Sequence, residues 1–373
     1  MRLVVTGGGT GGHIYPAIEV GREMQRMLPR SKVLYVGTKA GMESQIVPRE
    51  GLDFAAVRSS GVMGKSPLVA AQGVFHAAMG LGDAARVLRS FRPDVVLGTG
   101  GYASGPVAMS AYMLGIPRAI QEQNAVPGKT NLFLSRFCGR VFAAWEYSRK
   151  FFPKQGRVVV TGNPVRRALL GGKREEGRAY YGIPAGAPVV LVLGGSRGAR
   201  TLAEAAAKVA KIGLGDAYMV LLAGTQYYQS AAMALGAVPE PGIDGARAGN
   251  IIIRPYEHNM AMAYGAADLV IGRAGGMTLS EVTALGLPSI VVPSPNVAGN
   301  HQEHNARALE EAGAAVVVRE EGEVAGNVAH AALSLLGDRG RLAVMREASL
   351  RLGKPLAAEA ICRELVALAR KGK

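Results

Sequence analysis

The first 28 residues combine a short apolar run, a cluster of glycines and an amphipathic stretch. Residues 2–6 read Arg-Leu-Val-Val-Thr, a mostly apolar run rich in β-branched residues. Residues 7–13 read Gly-Gly-Gly-Thr-Gly-Gly-His, and residues 14–28 have helical spacing. This order predicts a strand, a tight turn and a helix. Glycines let the backbone turn sharply and let a ligand approach bare N–H groups, while the start of the helix favours anions. We therefore expect a phosphorylated ligand at or near this turn.

Gly7, Gly9 and Gly12 match the glycine spacing of dinucleotide-binding proteins, so a nicotinamide dehydrogenase is one interpretation of the turn. That fingerprint also needs an acidic residue after the second strand, where it holds a ribose hydroxyl. The second predicted strand, residues 32–38, is followed instead by Lys39. The sequence therefore favours another use of the same strand–turn–helix architecture.

The alternation of short β runs and helical stretches continues along the chain. Strands are predicted at residues 3–6, 33–37, 54–57, 95–98, 118–121, 141–144 and 158–161, and then at 188–193, 219–223, 251–253, 268–271 and 288–293. Strands that alternate with helices predict a parallel sheet covered on both faces, with ligands beyond the carboxyl ends of the strands. Because a second glycine turn follows residues 188–193, we expect two doubly wound α/β domains.

Proline and glycine interrupt the regular pattern after residue 161, and we place the domain boundary there. We expect an N-terminal domain of residues 1–162 and a C-terminal domain of residues 163–350, facing each other across a cleft. A last helix within residues 357–373 is predicted to return to the N-terminal domain.

The composition is that of a globular protein with a basic surface. Hydrophobic residues make up 49% of the chain, and 43 Lys and Arg against 28 Asp and Glu give a formal charge of +15. Such a charge favours nucleic acid, acidic lipid or a phosphorylated substrate as partner. No RNA-recognition or zinc-finger signature supports nucleic acid. Cys138 and Cys362 form no C-x-x-C motif, so we expect reduced thiols in a cytoplasmic protein.

No apolar run approaches the ~20 residues that a membrane span needs, and the N-terminal residues have the pattern of a core strand, not of a signal peptide. The protein would therefore meet a membrane only at its surface. The candidate surface is a predicted helix with Phe75 and Met79, followed by Arg86 and Arg89. One interpretation is an apolar patch beside positive charge, suited to an anionic bilayer. The other is an ordinary helix that packs on the sheet and carries basic residues in its last turn.

A third glycine turn follows the strand at residues 268–271. Backbone N–H groups from Gly276 to Thr278 would begin a helix directed at phosphate. Glu281 lies one turn further on, where a carboxylate can accept two hydrogen bonds from a ribose diol. The alternative for Glu281 is a favourable first-turn acid that contacts only solvent.

Several motifs occur together in one order along the chain. They are the turn of residues 7–13, Gly-Gly-Tyr at 100–102, Ser-Gly at 104–105, Glu-Gln-Asn at 122–124, Gly-Asn-Pro-Val-Arg at 162–166, Gly-Gly-Ser at 194–196, the turn of residues 273–281, His-Gln at 301–302 and Asn-Ala at 305–306. This set resembles the MurG family, bacterial glycosyltransferases that add N-acetylglucosamine to the lipid-linked muramyl-pentapeptide (lipid I), forming lipid II for peptidoglycan. The resemblance runs from the N-terminus to about residue 313.

The resemblance implies the GT-B fold, in which two Rossmann-like parallel-sheet domains face a cleft, and it implies UDP-N-acetylglucosamine as substrate without a cofactor. The residues that it assigns to the UDP-sugar are Thr10, Gly11, Gly12, Asn124, Arg166, Ser196, Glu257, Met260, Gly276, Met277, Thr278, Leu279, Ser280, Glu281 and Gln302.

Within this set, the resemblance assigns Arg166 and residues 256–260 to the uracil. Residues 276–278 and Ser196 would meet the diphosphate. Glu281 would bind the ribose, and Gln302 with Asn124 the sugar. Glu257 departs from the family, which usually carries an aliphatic residue there, so we expect the backbone to make that contact.

The implied reaction is an inverting transfer, in which an acceptor hydroxyl attacks the anomeric carbon and UDP departs. Glycine-turn amides and a helix N-terminus suit the growing negative charge without a metal. His13 is the candidate base, since an imidazole accepts protons near neutral pH; capping of the first helix or a phosphate contact is the alternative. Tyr102 and Glu122 are further candidates for acceptor positioning or proton transfer. His301 and His304 have no matching Cys/His set, so no metal is expected.

A lipid acceptor implies a peripheral enzyme on the cytoplasmic face of the bacterial cell membrane. Its partners would be lipid I and the anionic inner leaflet, with no nucleic acid. Two other functions stay open. A UDP-N-acetylglucosamine 2-epimerase would consume the donor without an acceptor, and a membrane-surface UDP-sugar sensor would bind the donor and release no UDP.

Overall fold

The structure, a computed structural model, describes residues 1–59, 67–195, 198–240 and 244–371, and of residues 67–78 and 298 it describes only the backbone. The chain divides into two compact units. Unit 1 comprises Met1–Val165 with Lys354–Lys373, and unit 2 comprises Arg166–Gly353. The sequence had suggested divisions at residues 162 and 350.

Unit 1 is built on a parallel sheet with the strand order β3-β2-β1-β4-β5-β6-β7. The strands are β1 (Arg2–Thr6), β2 (Lys32–Thr38), β3 (Asp53–Val57), β4 (Val95–Gly98), β5 (Arg118–Glu122), β6 (Arg140–Ala143) and β7 (Val158–Val160). Thr6 at the end of β1 pairs with Val36 of β2 on one side and with Gly98 of β4 on the other. The loops that follow β1 and β4 therefore begin side by side.

Helices cover both faces of this sheet. They are α1 (Gly11–Met27), α2 (Glu43–Arg49), α3 (Pro67–Phe91), α4 (Ser104–Met113), α5 (Lys129–Leu134) and the C-terminal helix (Ala357–Lys371). The C-terminal helix contacts α1, and its Leu365 is buried in one cluster with Leu3 of β1. On the other face, Leu88 of α3 and Val107 of α4 are buried with Val4. Coverage on both faces explains why the central strands are apolar almost throughout.

Unit 2 is built on a sheet with the strand order β10-β11-β12-β9-β8-β13-β14-β15. The strands are β8 (Val189–Leu193), β9 (Tyr218–Leu222), β10 (Val238–Pro239), β11 (Ala246–Ala248), β12 (Ile251–Arg254), β13 (Leu269–Gly272), β14 (Ser289–Val291) and β15 (Ala315–Val317). From β12 to β15 the pairing is parallel, whereas β10, β11 and β12 pair antiparallel. The body of the sheet is therefore parallel and one edge is a small antiparallel ribbon.

The helices of unit 2 are α6 (Arg167–Leu170), α7 (Arg174–Tyr180), α8 (Arg200–Ile212), α9 (Tyr228–Ala234), α10 (Met260–Ala266), α11 (Gly276–Ala284), α12 (His301–Glu311), α13 (Val324–Leu336) and α14 (Arg339–Leu352). Helices α8 and α13 pack together, and Leu202 and Ala329 join Val190 and Ile271 in the main apolar cluster. Among the described helices of the whole chain, none is both long enough and apolar enough to cross a membrane.

The twelve strands predicted from the sequence are all present, with ends that differ by at most two residues. The described residues form three further strands that the sequence does not predict. The segment 238–239 has only two residues, both exposed, and one is a proline. The segment 246–248 is Ala-Arg-Ala. Neither segment carries the β-branched pattern of a strand. Residues 315–317 form a three-residue strand that pairs with β14 at the sheet edge. Short edge strands depend on a partner strand, which a local pattern does not record.

Candidate active site

The glycine turns after β1 and β4 of unit 1 lie in direct contact. A Cβ atom on Gly101, whose φ is +78°, would lie 2.0 Å from the carbonyl oxygen of Gly8. A Cβ on Gly7 would lie 2.2 Å from Oγ1 of Thr99, which itself donates to the carbonyl oxygens of Thr6 and His13. The predicted strand–turn–helix at the N-terminus is confirmed, and glycine is required there by close backbone approach.

His13 lies in the first turn of α1, half-buried, with Thr10 as the exposed N-cap residue and Gly11 and Gly12 between them. The backbone N–H of His13 donates to the Thr10 carbonyl at 3.1 Å. The His13 Nδ1 atom lies 3.1 Å from Oε1 of Gln123. The first turn of the helix thus closes on the Thr10 carbonyl, without a cap from the Thr10 side chain, and the imidazole contacts the loop that follows β5.

Glu122 is only 1% exposed, and its carboxylate is surrounded by donors. Oε1 accepts from the backbone N–H of Asn124 at 2.9 Å, and Oε2 accepts from the backbone N–H of Gly128 and the side chain of Asn131 at 3.0 and 2.9 Å. These bonds hold the 123–128 loop and orient Asn124. The contacts favour a positioning role for Glu122 over proton transfer.

Tyr102 is 59% exposed and lies beside the first glycine turn. Its ring is the nearest group to the Cβ position of Gly9, and its carbonyl oxygen accepts from the Ser59 hydroxyl at 2.7 Å. The phenol is therefore accessible at the edge of the turn, as acceptor positioning would require.

In unit 2, α11 begins at Gly276, and three residues separate it from the end of β13. Met277 and Thr278 are half-buried in its first turn, next to Gly276. Leu279 is buried in the core, and the Ser280 hydroxyl donates to the Gly276 carbonyl at 2.9 Å. The predicted helix start is confirmed, whereas the side chains of Leu279 and Ser280 are engaged within the unit.

The Glu281 carboxylate is 8% exposed and has two partners. Oε1 accepts from Nη2 of Arg166 at 3.1 Å, and Oε2 accepts from the Tyr264 hydroxyl at 2.9 Å. Burial, reinforced by the negative charge of Glu281, raises the pKa of Tyr264 well above its usual value, so Tyr264 remains a neutral donor. Oε1 also accepts from Nε of Arg166 at 3.3 Å. A carboxylate has about four acceptor positions, so these three bonds leave one position for a ribose hydroxyl. The structure thus joins Arg166 and Glu281, 115 positions apart.

Glu257 is also buried, and its carboxylate is turned into unit 2. It accepts from the Tyr181 hydroxyl at 2.6 Å and from the backbone N–H of Asn259 at 2.8 Å, and it pairs with Arg254. Burial and the hydrogen bond to Glu257 raise the pKa of Tyr181 far above its ordinary range, so its hydroxyl stays protonated. The Glu257 side chain, an unusual residue for this position, therefore fixes the 255–260 segment through bonds on its buried side. Met260 begins α10 at the end of this segment.

Gln302 lies near the start of α12, where its Oε1 accepts from the backbone N–H of Ser294 at 2.9 Å. Asn305, one turn further along, donates to the Ala274 carbonyl in the turn before α11 at 3.0 Å. Helix α12 therefore bonds to both the loop after β14 and the loop after β13. Within the described ranges, no three His, Cys, Asp or Glu side chains group as metal ligands.

The predicted membrane-facing helix is α3. Met79 is half-buried, with its sulfur 3.8 Å from Nη1 of Arg58, and the exposed Arg86 lies 3.5 Å from Asp83. A hydrogen bond from Arg58 lowers the pKa of Asp83 to about 2. Arg89 is exposed in the last turn. Ser196 and the side chain of Phe75 lie outside the described residues.

Three functional candidates escaped the sequence analysis. Gln121, Gln123 and Asn163 are buried amides of unit 1 that form one hydrogen-bonded chain ending at His13. The sequence placed Gln123 and Asn163 only within motifs, at 122–124 and 162–166, and Gln121 at the end of a predicted strand. Amide side chains carry no signal of which atoms they will bond.

Two family models match the chain: the N-terminal domain of glycosyltransferase family 28 over residues 3–143 and the C-terminal domain of the same family over residues 189–361. A relative from Desulforudis audaxviator (strain MP104C) is 45% identical over 375 residues, which cover 100% of both chains. It is named UDP-N-acetylglucosamine–N-acetylmuramyl-(pentapeptide) pyrophosphoryl-undecaprenol N-acetylglucosamine transferase.

Among solved structures, MurG from Acinetobacter baumannii is 27% identical, with a TM-score of 0.76 over 98% of this chain and 99% of the other. UDP-GlcNAc 2-epimerase from Neisseria meningitidis, bound to UDP-GlcNAc, has a TM-score of 0.70 over 98% of this chain and 100% of the other. Its identity is 17%, so it shares the fold alone.

The chain belongs to glycosyltransferase family 28, whose two domain models together span most of its length. The resemblance to the MurG family is confirmed by the full-length relative and by the solved structure. The predicted α/β class with GT-B domains is confirmed as well. A dehydrogenase is not supported.

Proposed function

We propose that this protein transfers N-acetylglucosamine, with inversion, from UDP-N-acetylglucosamine to undecaprenyl-diphosphate-N-acetylmuramyl-pentapeptide (lipid I), forming lipid II. The observation that carries the proposal is the 45% identity, over the full length of both chains, to a relative named for this transfer. The likeness to an epimerase, at 17% identity, gives no comparable support for the alternative.

Unit 2 is the proposed donor site. Its support is a helix start at Gly276 beyond the carboxyl end of β13, with Glu281 on the same helix and Arg166 bonded to that carboxylate. Helix N-termini and backbone N–H groups stabilise a diphosphate whose negative charge grows as it leaves. A buried carboxylate beside them, with one acceptor position left, suits a hydroxyl of a ribose. UDP would thus be bound and made a better leaving group without a metal.

Unit 1 is the proposed acceptor site. In the transfer, the oxygen of an acceptor hydroxyl forms a bond to the anomeric carbon, the bond from that carbon to the UDP oxygen breaks, and UDP takes the electron pair. The hydroxyl proton passes to the imidazole of His13. Glu122 would act by holding the 123–128 loop and Asn124, and Tyr102 by contacting the acceptor at the edge of the first turn.

The proposal is tested by measuring UDP release from UDP-N-acetylglucosamine with and without a soluble lipid I analogue, and by analysing the analogue for added sugar. Acceptor-dependent UDP release with one N-acetylglucosamine added in inverted configuration is expected. Turnover of the donor without acceptor would point to an epimerase or hydrolase. Tight donor binding without turnover under either condition would point to a sensor, and each of these results would overturn the proposed transfer.

Glu281→Gln is expected to weaken UDP-N-acetylglucosamine binding by roughly 10- to 100-fold, because a hydrogen bond to a charged group is worth about 1.5–3 kcal/mol. Glutamine keeps the length of the side chain but not its charge. Isothermal titration calorimetry gives the Kd. Glu310→Gln, which removes a carboxylate from an exposed ion pair with Arg319, is the matched control and should leave Kd unchanged. An unaltered Kd for Glu281→Gln would contradict the ribose contact.

We further propose that α3 faces the anionic cytoplasmic leaflet, because Arg86 and Arg89 are exposed near its end. Each basic side chain near an anionic surface contributes about 1 kcal/mol, so Arg86→Gln with Arg89→Gln should reduce vesicle binding by about 30-fold. Flotation with phosphatidylglycerol vesicles measures this. The control is Arg341→Gln with Arg346→Gln, which removes two exposed arginines from α14. An equal loss of vesicle binding in the two double variants would mean that only net charge matters, and it would reject α3 as the membrane contact.

A further inference from the structure

The three buried amides behind His13 have a defined orientation. Asn163 Nδ2 donates to the backbone carbonyl of Gln123 at 3.1 Å. A carbonyl oxygen can only accept, so the other end of the Asn163 amide, Oδ1, must be the end that meets Gln121. Gln121 Nε2 indeed donates to it at 2.6 Å. One backbone carbonyl therefore settles the orientation of the first two amides.

Gln123 is the third amide of this hydrogen-bonded row. The Oε1 atom of Gln121 accepts from Gln123 Nε2, which also donates to the carbonyl oxygen of Thr99 at 2.8 Å. Both contacts require the NH2 end of the Gln123 amide on that side. Its oxygen, Oε1, is consequently the atom that faces His13 Nδ1 at 3.1 Å.

These three amide side chains are held strongly because they are buried. The residues Gln121, Gln123 and Asn163 are 0%, 3% and 1% exposed. Turning over any one amide would set two donors or two acceptors against each other without water to replace the lost bonds, at a cost of about 1–3 kcal/mol for each unsatisfied group. The orientation of Gln123 is therefore imposed by the fold of unit 1 and does not depend on a ligand.

An amide oxygen only accepts, so the nitrogen of His13 that meets it must carry a hydrogen. We propose that Gln123 is a positioning residue that holds neutral His13 in the Nδ1–H tautomer, leaving Nε2 as the ring's proton acceptor. The inference rests on the proposed function, where the acceptor hydroxyl gives its proton to Nε2 as the sugar–UDP bond breaks. The imidazolium that results keeps its Nδ1–H bond to Gln123 and the proton on Nε2 is later released.

The hydrogen bond to Gln123 reverses the ordinary tautomer preference of the imidazole ring. An unconstrained neutral histidine in water carries its proton mostly on Nε2, which is the tautomer that cannot use that nitrogen as a base. The nitrogen that bears the proton is set by the hydrogen bond that the other one makes. Gln123 thus keeps a larger fraction of neutral His13 in the productive form, without adding a carboxylate beside the ring.

The tautomer is measured directly in the intact chain, labelled with ¹⁵N-histidine, by two-bond ¹⁵N–¹H correlation at a pH where the ring is neutral. The chain has six histidines, and the signal absent from His13→Ala identifies His13. We expect a protonated Nδ1 and an unprotonated Nε2 in the wild type. A His13 signal with its proton on Nε2 would overturn the proposal without any other variant.

Gln123→Met removes the acceptor while keeping the length of the side chain, and it should shift His13 towards the Nε2–H tautomer. We expect kcat to fall roughly tenfold or more, as part of the 10²–10⁴ that a general base contributes, with the KM for UDP-N-acetylglucosamine within about twofold. Gln123→Glu offers one oxygen to Nδ1, and its buried second oxygen must be protonated to donate to the Thr99 carbonyl in place of the amide. In that state it should return the Nδ1–H tautomer and part of kcat. Gln45→Met, on the exposed face of α2, is the matched control and should change neither.

An unchanged tautomer, or an unchanged kcat, in Gln123→Met would overturn the positioning role. The result is separable from the fate of the proposed function. If no acceptor-dependent transfer occurs in the wild type, the proposed function fails. The NMR spectrum still reports the tautomer of His13, so it tests the Gln123–His13 contact without any turnover. Unfolding followed by the fluorescence of Trp145, the single tryptophan and a residue of unit 1, identifies any variant whose loss of kcat reflects loss of fold.

Discussion

His13→Ala is expected to lower kcat for the sugar transfer by about 10²- to 10⁴-fold, the usual contribution of a positioned general base. The acceptor hydroxyl would then have to lose its proton to water in a site arranged for an imidazole. The turn itself should survive, because its shape depends on glycines and on backbone bonds such as that from His13 N–H to Thr10. The KM for UDP-N-acetylglucosamine should change by less than about threefold.

Steady-state UDP release at saturating lipid I analogue measures this kcat, and His330→Ala, an exposed histidine of α13, is the matched control. A near-normal kcat in His13→Ala would remove His13 as the base. A raised KM for the acceptor with an unchanged kcat would instead assign His13 to a phosphate contact. In either case Tyr102 would become the leading group near the first turn, because Glu122 is already occupied by donors from its own loop.

Gly101→Ala is expected to destabilise unit 1 by about 2–5 kcal/mol. An alanine at φ +78° has left-handed backbone, which costs roughly 1–2 kcal/mol. Its Cβ would also lie 2.0 Å from the Gly8 carbonyl oxygen, and overpacking of this kind adds about 1–3 kcal/mol because two backbone segments must move apart.

Gly51→Ala separates the two contributions. Gly51 has the same φ of +78° in the same unit, but no atom lies within 4 Å of its Cβ position. Urea unfolding followed by Trp145 fluorescence should show a loss of about 1–2 kcal/mol for Gly51→Ala and a clearly larger loss for Gly101→Ala. Equal losses would mean that the contact between the two glycine turns relaxes at no cost.

The positions of the strands were predictable because the central strands of both sheets are buried on both faces. A strand such as β8, Val189–Leu193, must be apolar along its whole length, so a local pattern is enough to find it. The edge ribbon of β10 and β11 was not predictable on those terms. Its pairing depends on β12, and apart from Val238 its residues have little strand propensity of their own.

The candidate site divides in the same way. The glycine turns and the acidic residue at 281 were recognisable from local spacing, since turns and helix starts are local structures. The partners of the acidic residues were not. Glu281 bonds to Arg166, 115 positions earlier, while Glu257 turns inward to Tyr181, 76 positions away. Glu122, a candidate for proton transfer, is instead committed to its own loop.

The sequence by itself therefore determined the family, the α/β architecture of both units and the turns at which a nucleotide sugar and a lipid diphosphate are proposed to bind. Only the tertiary structure decided which way each polar side chain faces. The clearest case is the amide chain from Asn163 to His13, which joins residues up to 110 positions apart in a single bond and selects the proton-bearing nitrogen of the imidazole. The physical reason is that strand and turn formation depends on neighbours in sequence, whereas the orientation of a buried amide depends on neighbours in space.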